Sequence, residues 1–335
     1  MKIAIVGCGG ISKVHLQCIA SIPDAKLIAA ADIDFPRAQR AAQAYDAAAY
    51  ASLDELLAAE KPDILHICTP HYLHVPMALA AAERGIHVLI EKPCAISVDG
   101  ATTLVEAQKK TGVAMGVCFQ NRYNRSARYL KSLVSGQTPY GRLEGVRGFV
   151  CWQRDEDYYA DDWHGSLEKE GGGVLMNQAI HTVDMLGFLA GDFQAVSGSI
   201  ANYHLKGVIE VEDTASALFE FPGGVKGLLY ATTAYSANAP VFVELQFEHA
   251  ALRMEEDNLY ELSGGQTLRQ LTDFEKLDCF GKDCWGTGHN ALINDFYACV
   301  RSGERFSIDP AEGGKAVGAV LGIYRSSATG EKQRL

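Results

Sequence analysis

The first third of the sequence alternates short apolar segments with helix-length segments in a regular rhythm. One apolar segment, DILHICT at residues 63–69, is apolar along most of its length rather than at every second position. Such strands are buried on both faces, as in a parallel sheet covered by helices on both sides. The predicted strands are residues 2–6, 26–32, 63–69, 87–92 and 114–119. Residues 1–120 are therefore predicted to form a doubly wound α/β domain.

The rhythm changes after about residue 120. Residues 195–262 contain a series of strand-like runs separated by turn sequences such as Pro222-Gly223-Gly224. Consecutive strands joined by short turns form antiparallel pairs. Helices are predicted before this region at 126–135 and after it near 290–302 and 311–327. Residues 121–335 are therefore predicted to form an α+β domain with a largely antiparallel sheet.

Composition excludes several classes of protein. The 335 residues carry a formal net charge of -11, which disfavours nucleic acid and anionic membranes as partners. We find no apolar run of transmembrane length, and the N-terminus is predicted to be a strand rather than a signal peptide. The nine cysteines have no C-x-x-C spacing, which favours reduced thiols and a cytoplasmic location.

A glycine-rich turn follows the first strand. The sequence Gly7-Cys8-Gly9-Gly10-Ile11-Ser12 lies between that strand and the first predicted helix. Glycines in this context allow a tight turn and a close approach of the backbone to a pyrophosphate at the helix N-terminus. A plain glycine-rich turn is the alternative, and Ser12 stands where the fingerprint has its third glycine.

An acidic residue at the end of the second strand favours the dinucleotide interpretation. Asp32 lies where a ribose-binding carboxylate belongs, and Ile33 rather than a basic residue follows it. A carboxylate there accepts hydrogen bonds from ribose hydroxyls and repels a 2′-phosphate, so NAD is predicted over NADP. Arg37 is close enough in sequence to keep NADP as the alternative.

Two further strand ends carry candidate site residues. Thr69-Pro70-His71 and His74 follow the third predicted strand, and Glu91-Lys92-Pro93 ends the next one. Ligands bind at the carboxyl ends of strands in such sheets. Lys92 is therefore a candidate acid/base, although a single Lys is more often a solvated surface charge. His71 and His74 lack partners with convincing ligand spacing, so no metal is predicted.

The stretch GGGVLMNQAIHTVDML at residues 171–186 is predicted to be a buried helix that follows three glycines. On such a helix Asn177, His181 and Asp184 share one face, while the other faces are apolar. Two interpretations remain open. The polar stripe either holds a ligand or forms a satisfied polar network between helix and sheet.

Four motifs occur in a fixed order along essentially the whole chain: the turn at Gly7, T-P-x-x-x-H at residues 69–74, E-K-P at 91–93, and G-G-G-x-x-x-N-x-x-x-H-x-x-D at 171–184. Together they resemble the Gfo/Idh/MocA oxidoreductase family. The resemblance implies a Rossmann NAD-binding domain and an open-faced sheet domain that carries the substrate. It also implies a homodimer or homotetramer formed through that sheet.

The resemblance assigns roles to individual residues. Lys92 and His181 correspond to the acid/base pair, and Asn177 stands where many relatives have Asp. An amide orients a hydroxyl but takes no proton at neutral pH. The implied cofactor contacts are Gly7, Cys8, Gly9, Gly10, Ile11, Ser12, Asp32, Ile33, Thr69, Pro70, His71, His74, Glu91, Lys92 and Gln120. The implied substrate contacts are Lys92, Asn121, Arg122, Tyr123, Tyr158, His164, Asn177, His181 and His289.

The predicted activity is NAD(H)-dependent hydride transfer to or from a secondary alcohol of a sugar, glycoside or cyclic polyol. Many relatives have W-R-G where this chain has Trp163-His164-Gly165, and the missing Arg disfavours an anionic substrate. One alternative is a sugar-modifying enzyme that keeps NAD bound through an internal redox cycle. A second is a non-catalytic NAD-binding regulatory protein, which the presence of Lys92 and His181 disfavours.

Overall fold

The structure is a computed structural model that describes residues 1–136, 138–255, 257–264, 269–272 and 288–335. The described residues form two compact units. The first contains residues 1–120 and 288–314, and the second contains the described residues from 121 to 272 together with 315–335.

The first unit is built on a six-stranded parallel sheet with the order β3-β2-β1-β4-β5-β6. Its strands are β1 (Lys2–Val6), β2 (Lys26–Ala31), β3 (Ala48–Tyr50), β4 (Ile64–Ile67), β5 (His87–Ile90) and β6 (Met115–Val117). The predicted parallel sheet is confirmed, and β3 is a strand that the sequence did not predict. The strand order changes direction between β1 and β4, where sheets of this type bind ligands.

Five helices connect these strands. They are α1 (Ser12–Ser21), α2 (Phe35–Gln43), α3 (Leu53–Ala59), α4 (His74–Ala82) and α5 (Val98–Thr111). Local sequence explains several of their ends. Ser52 caps α3 by accepting a hydrogen bond from the Glu55 amide, and Ser97 caps α5 through the Gly100 amide. Because the strands are parallel, the residues after β1, β2, β4 and β5 all lie at the carboxyl ends of the strands.

The second unit contains a nine-stranded sheet with the order β14-β13-β12-β11-β7-β10-β9-β8-β15. Its strands are β7 (Leu143–Cys151), β8 (Ala195–Ala201), β9 (Thr214–Glu220), β10 (Lys226–Thr232), β11 (Phe242–Phe247), β12 (Ala251–Glu255), β13 (Asn258–Leu262), β14 (Arg269–Gln270) and β15 (Gln333–Arg334). Among the described pairs only β7–β10 is parallel, so the predicted largely antiparallel sheet is confirmed. Buried and exposed residues alternate along β9, which shows that helices cover only one face.

The helices of the second unit are α6 (Arg125–Ser135), α7 (Leu167–Glu170) and α8 (Ile180–Ala190). The predicted helix after the three glycines starts later than the sequence suggested. Residues 174–179 form turns, and Ala179 donates a hydrogen bond to the Val174 carbonyl rather than to a helical partner. Asn177 therefore precedes α8, while His181 and Asp184 lie on it.

Two long helices lie between β14 and β15 in the chain, α9 (His289–Ser302) and α10 (Pro310–Thr329). The sequence placed both in the second domain. The structure instead groups α9 with the first unit, where it contacts α1 and buries Leu292, Ile293, Phe296 and Tyr297. The apolar face of α9 completes the core of the first unit, although α9 lies far from that unit in sequence.

The length and polarity of a helix determine whether it can span a membrane. No helix in the described part of the chain is both long enough and apolar enough to cross a bilayer. Even α10, which has 20 residues, contains two glycines and the charged residues Glu312 and Lys315 within its first six positions.

Candidate active site

In the glycine-rich turn of the first unit, the backbone of Gly7 lies very close to the backbone of Cys68. Gly7 has a φ of +85° and donates a backbone hydrogen bond to Ala31 across 2.9 Å. A Cβ atom at Gly7 would lie 2.5 Å from the carbonyl oxygen of Cys68. Only glycine satisfies both constraints, so Gly7 allows the chain to turn tightly between β1 and α1.

The start of α1 is suited to an anion. Ile11 occupies the N-cap position, and no described side chain caps the helix. The Ser12 hydroxyl donates to the Gly9 carbonyl at 2.7 Å, which fixes the turn. A Cβ atom added to Gly9 or Gly10 would have no other described atom within 4 Å. The N-terminus of α1 is therefore uncapped and the space beside Gly9 and Gly10 is open, which is compatible with binding a phosphate group.

Asp32 is fixed beside this turn. One carboxylate oxygen accepts from the Cys8 amide at 2.7 Å and the other from the Asp34 amide at 2.8 Å. Arg37 forms an exposed ion pair with Asp34 at 3.0 Å. A cavity of about 630 Å³ lies between the turn, α1 and α2, and both Arg37 and Arg40 line it. The amides, Asp32 and this cavity together fit a dinucleotide.

The predicted contact residue His74 is buried between two strand-end segments. Its Nδ1 lies 2.7 Å from the Pro93 carbonyl and its Nε2 lies 2.8 Å from the Thr69 carbonyl. Burial lowers the pKa of His74, while the two carbonyl contacts oppose that shift. Both ring nitrogens contact backbone oxygens, so His74 joins the segments after β4 and β5. Its contact with the cofactor stays a prediction.

Glu91 is likewise buried rather than open to a ligand. Its Oε1 lies 2.9 Å from His15 Nε2 and 3.7 Å from His289 Nε2, and its Oε2 accepts from the Lys92 amide at 3.1 Å. Burial would raise the pKa of Glu91, but its contacts with His15 and His289 outweigh burial and hold that pKa well below its usual value. His289, predicted to contact substrate, is thus part of a buried cluster around Glu91.

This cluster contains residues that the sequence did not single out as site residues. His15 Nδ1 lies 2.7 Å from His66 Nδ1, and His66 Nε2 lies 2.8 Å from the Tyr297 hydroxyl. Burial and the neighbouring His15 lower the pKa of His66 well below its usual value. The four groups therefore form a continuous hydrogen-bonded string from Glu91 to α9. The residues are far apart in sequence, so no local pattern could identify it.

The same cluster includes a set of potential metal ligands. The donor atoms of His15, Glu91 and Cys118 lie within 4.8 Å of one another. His15 and Glu91 already contact each other directly. That the chain binds no metal stays a prediction.

The segment after β6 is a single turn of 3₁₀ helix at Gln120–Tyr123, and all four of its residues are buried. Arg122 forms a two-bond ion pair with Asp184, with Nε–Oδ2 and Nη2–Oδ1 distances of 2.8 and 2.6 Å. Arg122 thus pairs with Asp184, and its contact with substrate stays a prediction. Neither amide atom of Asn121 has a hydrogen-bond partner within the described residues.

Glu212 explains the last of the three glycines before Asn177. Its carboxylate accepts from the Gly173 and Leu175 amides at 3.0 and 2.9 Å, and from the Tyr324 hydroxyl at 2.9 Å. A Cβ atom at Gly173 would lie 1.9 Å from the Glu212 carbonyl oxygen. Burial raises the pKa of Glu212, although these hydrogen bonds oppose the shift. The glycines thus let this segment lie directly against the strand residues that precede β9.

Asn177 belongs to a cluster of buried polar side chains. Its Nδ2 donates to Glu170 Oε1 at 2.6 Å and lies 3.4 Å from the Tyr158 hydroxyl. Gln178 Nε2 donates to the same hydroxyl at 3.2 Å. His181, in the first turn of α8, is 8% exposed. The structure therefore brings together two predicted substrate residues, Tyr158 and Asn177, and adds Glu170, an acidic residue directly before the glycines.

His164 lies in a more exposed setting than the residues of this cluster. Its Nδ1 lies 2.6 Å from an Asp161 carboxylate oxygen, and its ring packs against Tyr158 with a centroid separation of 4.8 Å. The predicted contact of His164 with substrate therefore stays a prediction, now with Asp161 as its hydrogen-bond partner.

Family models match both units. Residues 1–119 match the model described as the oxidoreductase family with an NAD-binding Rossmann fold. Residues 128–253 match the model of the GFO/IDH/MocA C-terminal domain. The first unit is therefore an NAD-binding Rossmann domain.

Curated relatives include sugar and polyol dehydrogenases. The chain is 28% identical to D-glucoside 3-dehydrogenase of Escherichia coli (strain K12) over 71% of each protein. It is 24% identical to myo-inositol 2-dehydrogenase of Thermotoga maritima over 99% of this chain and 97% of the relative.

Solved structures share the fold over the whole chain. The WlbA dehydrogenase of Bordetella pertussis, crystallised with NADH and UDP-GlcNAcA, has a TM-score of 0.86 and 29% identity and covers 100% of this chain and 98% of its own. A levoglucosan dehydrogenase, crystallised with NADH and levoglucosan, has a TM-score of 0.87 and 21% identity and covers 100% and 99%.

Proposed function

The chain belongs to the Gfo/Idh/MocA oxidoreductase family, and we propose that it is an NAD(H)-dependent dehydrogenase acting on a secondary alcohol of a sugar, glycoside or cyclic polyol. The observation that carries the proposal is the fit of the first unit to a dinucleotide. Uncapped amides at the start of α1 and the fixed carboxylate of Asp32 supply the contacts that such a cofactor requires.

The proposed chemistry divides between cofactor and side chains. Bound nicotinamide supplies the hydride donor or acceptor. Lys92 takes the proton from the reacting hydroxyl, or returns it in the opposite direction, and His181 assists as its partner. Asn177 orients a substrate hydroxyl, because an amide hydrogen-bonds without exchanging protons at neutral pH. These roles follow the correspondence with the family motifs.

The proposed substrate carries several hydroxyl groups. The Asn177 cluster contains amide, carboxylate and phenol groups that are largely buried. Substrate hydroxyls both donate and accept hydrogen bonds and so match these groups, whereas an apolar substrate offers them none. Similarity to a D-glucoside dehydrogenase and a myo-inositol dehydrogenase supports the same class.

A substrate panel tests the proposed activity. Neutral sugars, glycosides, inositols and simple aliphatic alcohols are incubated with NAD or NADP, and reduced nicotinamide is followed by absorbance. We expect turnover of at least one polyhydroxylated ring with NAD and none of the aliphatic alcohols. Product formation without net NADH would instead support the internal redox cycle. Efficient turnover of an aliphatic alcohol would refute the sugar assignment.

We also propose a homo-oligomer, dimer or tetramer, formed through the uncovered face of the second sheet. Leu218 and Leu228 pair across β9 and β10 on that face and are 60% and 37% exposed. Tyr230 lies beside Phe149, which stacks on Phe242 at a ring-centroid distance of 5.0 Å. An extended exposed apolar face of this kind favours a self-complementary contact between two copies.

Light scattering after size-exclusion chromatography tests this oligomer. Leu218→Glu is expected to shift the mass toward the monomer, because it buries a charge in the contact. Val98→Glu is the matched control, since Val98 is 45% exposed in the first turn of α5. An unchanged mass for Leu218→Glu would place the contact elsewhere.

The remaining proposals concern organisation and location. We propose that residues 1–120 form the cofactor domain and 121–335 the substrate and oligomer domain, with α9 as an addition to the first. The nine scattered cysteines, which have no C-x-x-C spacing, lead us to propose the cytoplasm as the location.

A further inference from the structure

Glu170 is a buried carboxylate with two defined partners. It is 1% exposed at the end of α7. Its Oε2 accepts from the Gly165 amide at 2.5 Å, and its Oε1 accepts from Asn177 Nδ2 at 2.6 Å. Both distances are short, as expected for hydrogen bonds to a charged acceptor. The carboxylate is thus anchored on one side and directed at Asn177 on the other.

This contact fixes which end of the Asn177 amide faces Glu170. A carboxylate accepts hydrogen bonds, so the NH₂ end of the amide must face it. Tyr158 lies near the same nitrogen at 3.4 Å, and Gln178 donates to the Tyr158 hydroxyl. The network therefore leaves the carbonyl oxygen of Asn177 directed away from Glu170.

We propose that Glu170 is a positioning residue that fixes the amide of Asn177, so that Nδ2 faces Glu170 and Oδ1 faces the opposite side, where it can accept from a hydroxyl of the substrate. The proposal rests on the dehydrogenase function proposed above and refines it. A fixed carbonyl oxygen accepts a hydrogen bond from a hydroxyl but not from a carboxylate or phosphate oxygen. Position 177 thereby selects a neutral polyol group over an anionic one.

The same geometry explains why an amide, and not a carboxylate, occupies position 177. An aspartate there would lie within hydrogen-bond distance of Glu170, and two buried carboxylates at that separation retain one proton between them. While that proton is held, the substituted carboxyl group can donate to Glu170 and offer its other oxygen, much as the Asn177 amide does. Loss of the proton leaves two facing charges.

Thermal unfolding tests the contact without any substrate. Wild type, Asn177→Asp, Glu170→Gln and the double variant are compared between about pH 5 and pH 9. The folded carboxyl pair binds a proton more tightly than the unfolded chain, so Asn177→Asp must lose stability relative to wild type as pH rises. We expect its Tm deficit to grow by about 3 °C or more over this range. In the double variant the amide of the introduced glutamine donates to the introduced carboxylate, so the Tm deficit should no longer increase with pH.

Kinetics test the role in recognition. For Asn177→Asp on a polyol, kcat/KM is expected to fall at least about tenfold as pH rises, because the shared proton is lost. A carboxylate acting as a general base at this position would give the opposite slope. Glu170→Gln frees the amide of Asn177 to rotate, so KM rises several-fold with little change in kcat. Glu168→Gln, an exposed neighbour on α7, is the matched control and should match wild type.

Each result bears on the proposal. A Tm deficit that is constant with pH, or one that persists in the double variant, overturns the coupling of Glu170 to position 177. Wild-type KM in Glu170→Gln overturns its role in recognition, even if Asn177→Asp does not fold. Absence of polyol turnover by wild type would refute the proposed function alone, because the thermal measurements need no substrate.

Discussion

The ion pair between Arg122 and Asp184 leads to a prediction that separates a structural role from substrate binding. Two hydrogen bonds of 2.8 and 2.6 Å join the side chains, which are 9% and 2% exposed. The guanidinium also lies 4.9 Å from the centre of the Phe188 ring. Both charges are therefore largely desolvated, and they compensate each other across this contact.

Removing one partner leaves the other charge buried. Arg122→Met is therefore expected to reduce the free energy of unfolding of the second unit by about 3–5 kcal/mol. With an m value of about 2–3 kcal/mol per M, the urea midpoint falls by roughly 1–2 M. Fluorescence of Trp152 and Trp163, both in this unit, reports the transition. Asp184→Leu should produce a similar shift.

A double variant tests whether the effect arises from the pair. Arg122→Met with Asp184→Leu removes both charges, so its cost should be much smaller than the sum of the two single costs. Arg128→Met is the matched control, because Arg128 is exposed and its guanidinium lies over the Tyr123 ring. If Arg122→Met kept the wild-type midpoint and raised only KM, the pair would not stabilise the fold and Arg122 would be a substrate ligand.

Three further outcomes are expected. Asp32→Ala should raise the Kd for NAD and reduce the difference between the Kd values for NAD and NADP in a fluorescence titration. Tighter binding of NADP than of NAD by wild type would contradict the role of Asp32. Lys92→Met should keep NADH binding but lose about 10²–10⁴-fold in kcat, and near-normal turnover would remove Lys92 from proton transfer. Burial and the neighbouring His15 hold the pKa of His66 well below its usual value, so the unfolded chain binds a proton there that the folded chain does not. Stability should therefore decline as pH falls below about 6.5, less steeply in His66→Gln, and equal slopes would exclude His66 as the cause.

The sequence predicted those parts of the fold that depend on local patterns. Continuous apolar runs identified β1, β4 and β5, because strands buried on both faces need apolar residues at every position. It missed β3, Ala48–Tyr50, since three partly buried residues with two alanines carry little strand preference. It gave no sign that α9 packs with the first unit, because tertiary contacts rather than local pattern decide where that helix packs.

The candidate site was predictable where a motif is local. The glycine-rich turn and Asp32 are of this kind, and the structure joins them through the Cys8 amide. Pairings between distant residues were not predictable. Two such contacts join residues of separate elements: Arg122 with Asp184, and His15 with Glu91. In each contact one side chain compensates the charge of the other, and the sequence does not indicate which residues pair. Nothing in local spacing indicates which polar residue meets a ligand and which meets another side chain.

The contact between Tyr324 and Glu212 has a consequence for the order in which the protein is made. Tyr324 lies on α10 and leaves the ribosome long after the glycine turn that Glu212 holds. Until then the Glu212 carboxylate has the backbone amides of Gly173 and Leu175 but lacks its hydroxyl donor. The turn that leads to Asn177 therefore gains this contact only after α10 has been synthesised. A nascent chain can assemble its cofactor-side strands early, yet it gains a complete substrate segment late.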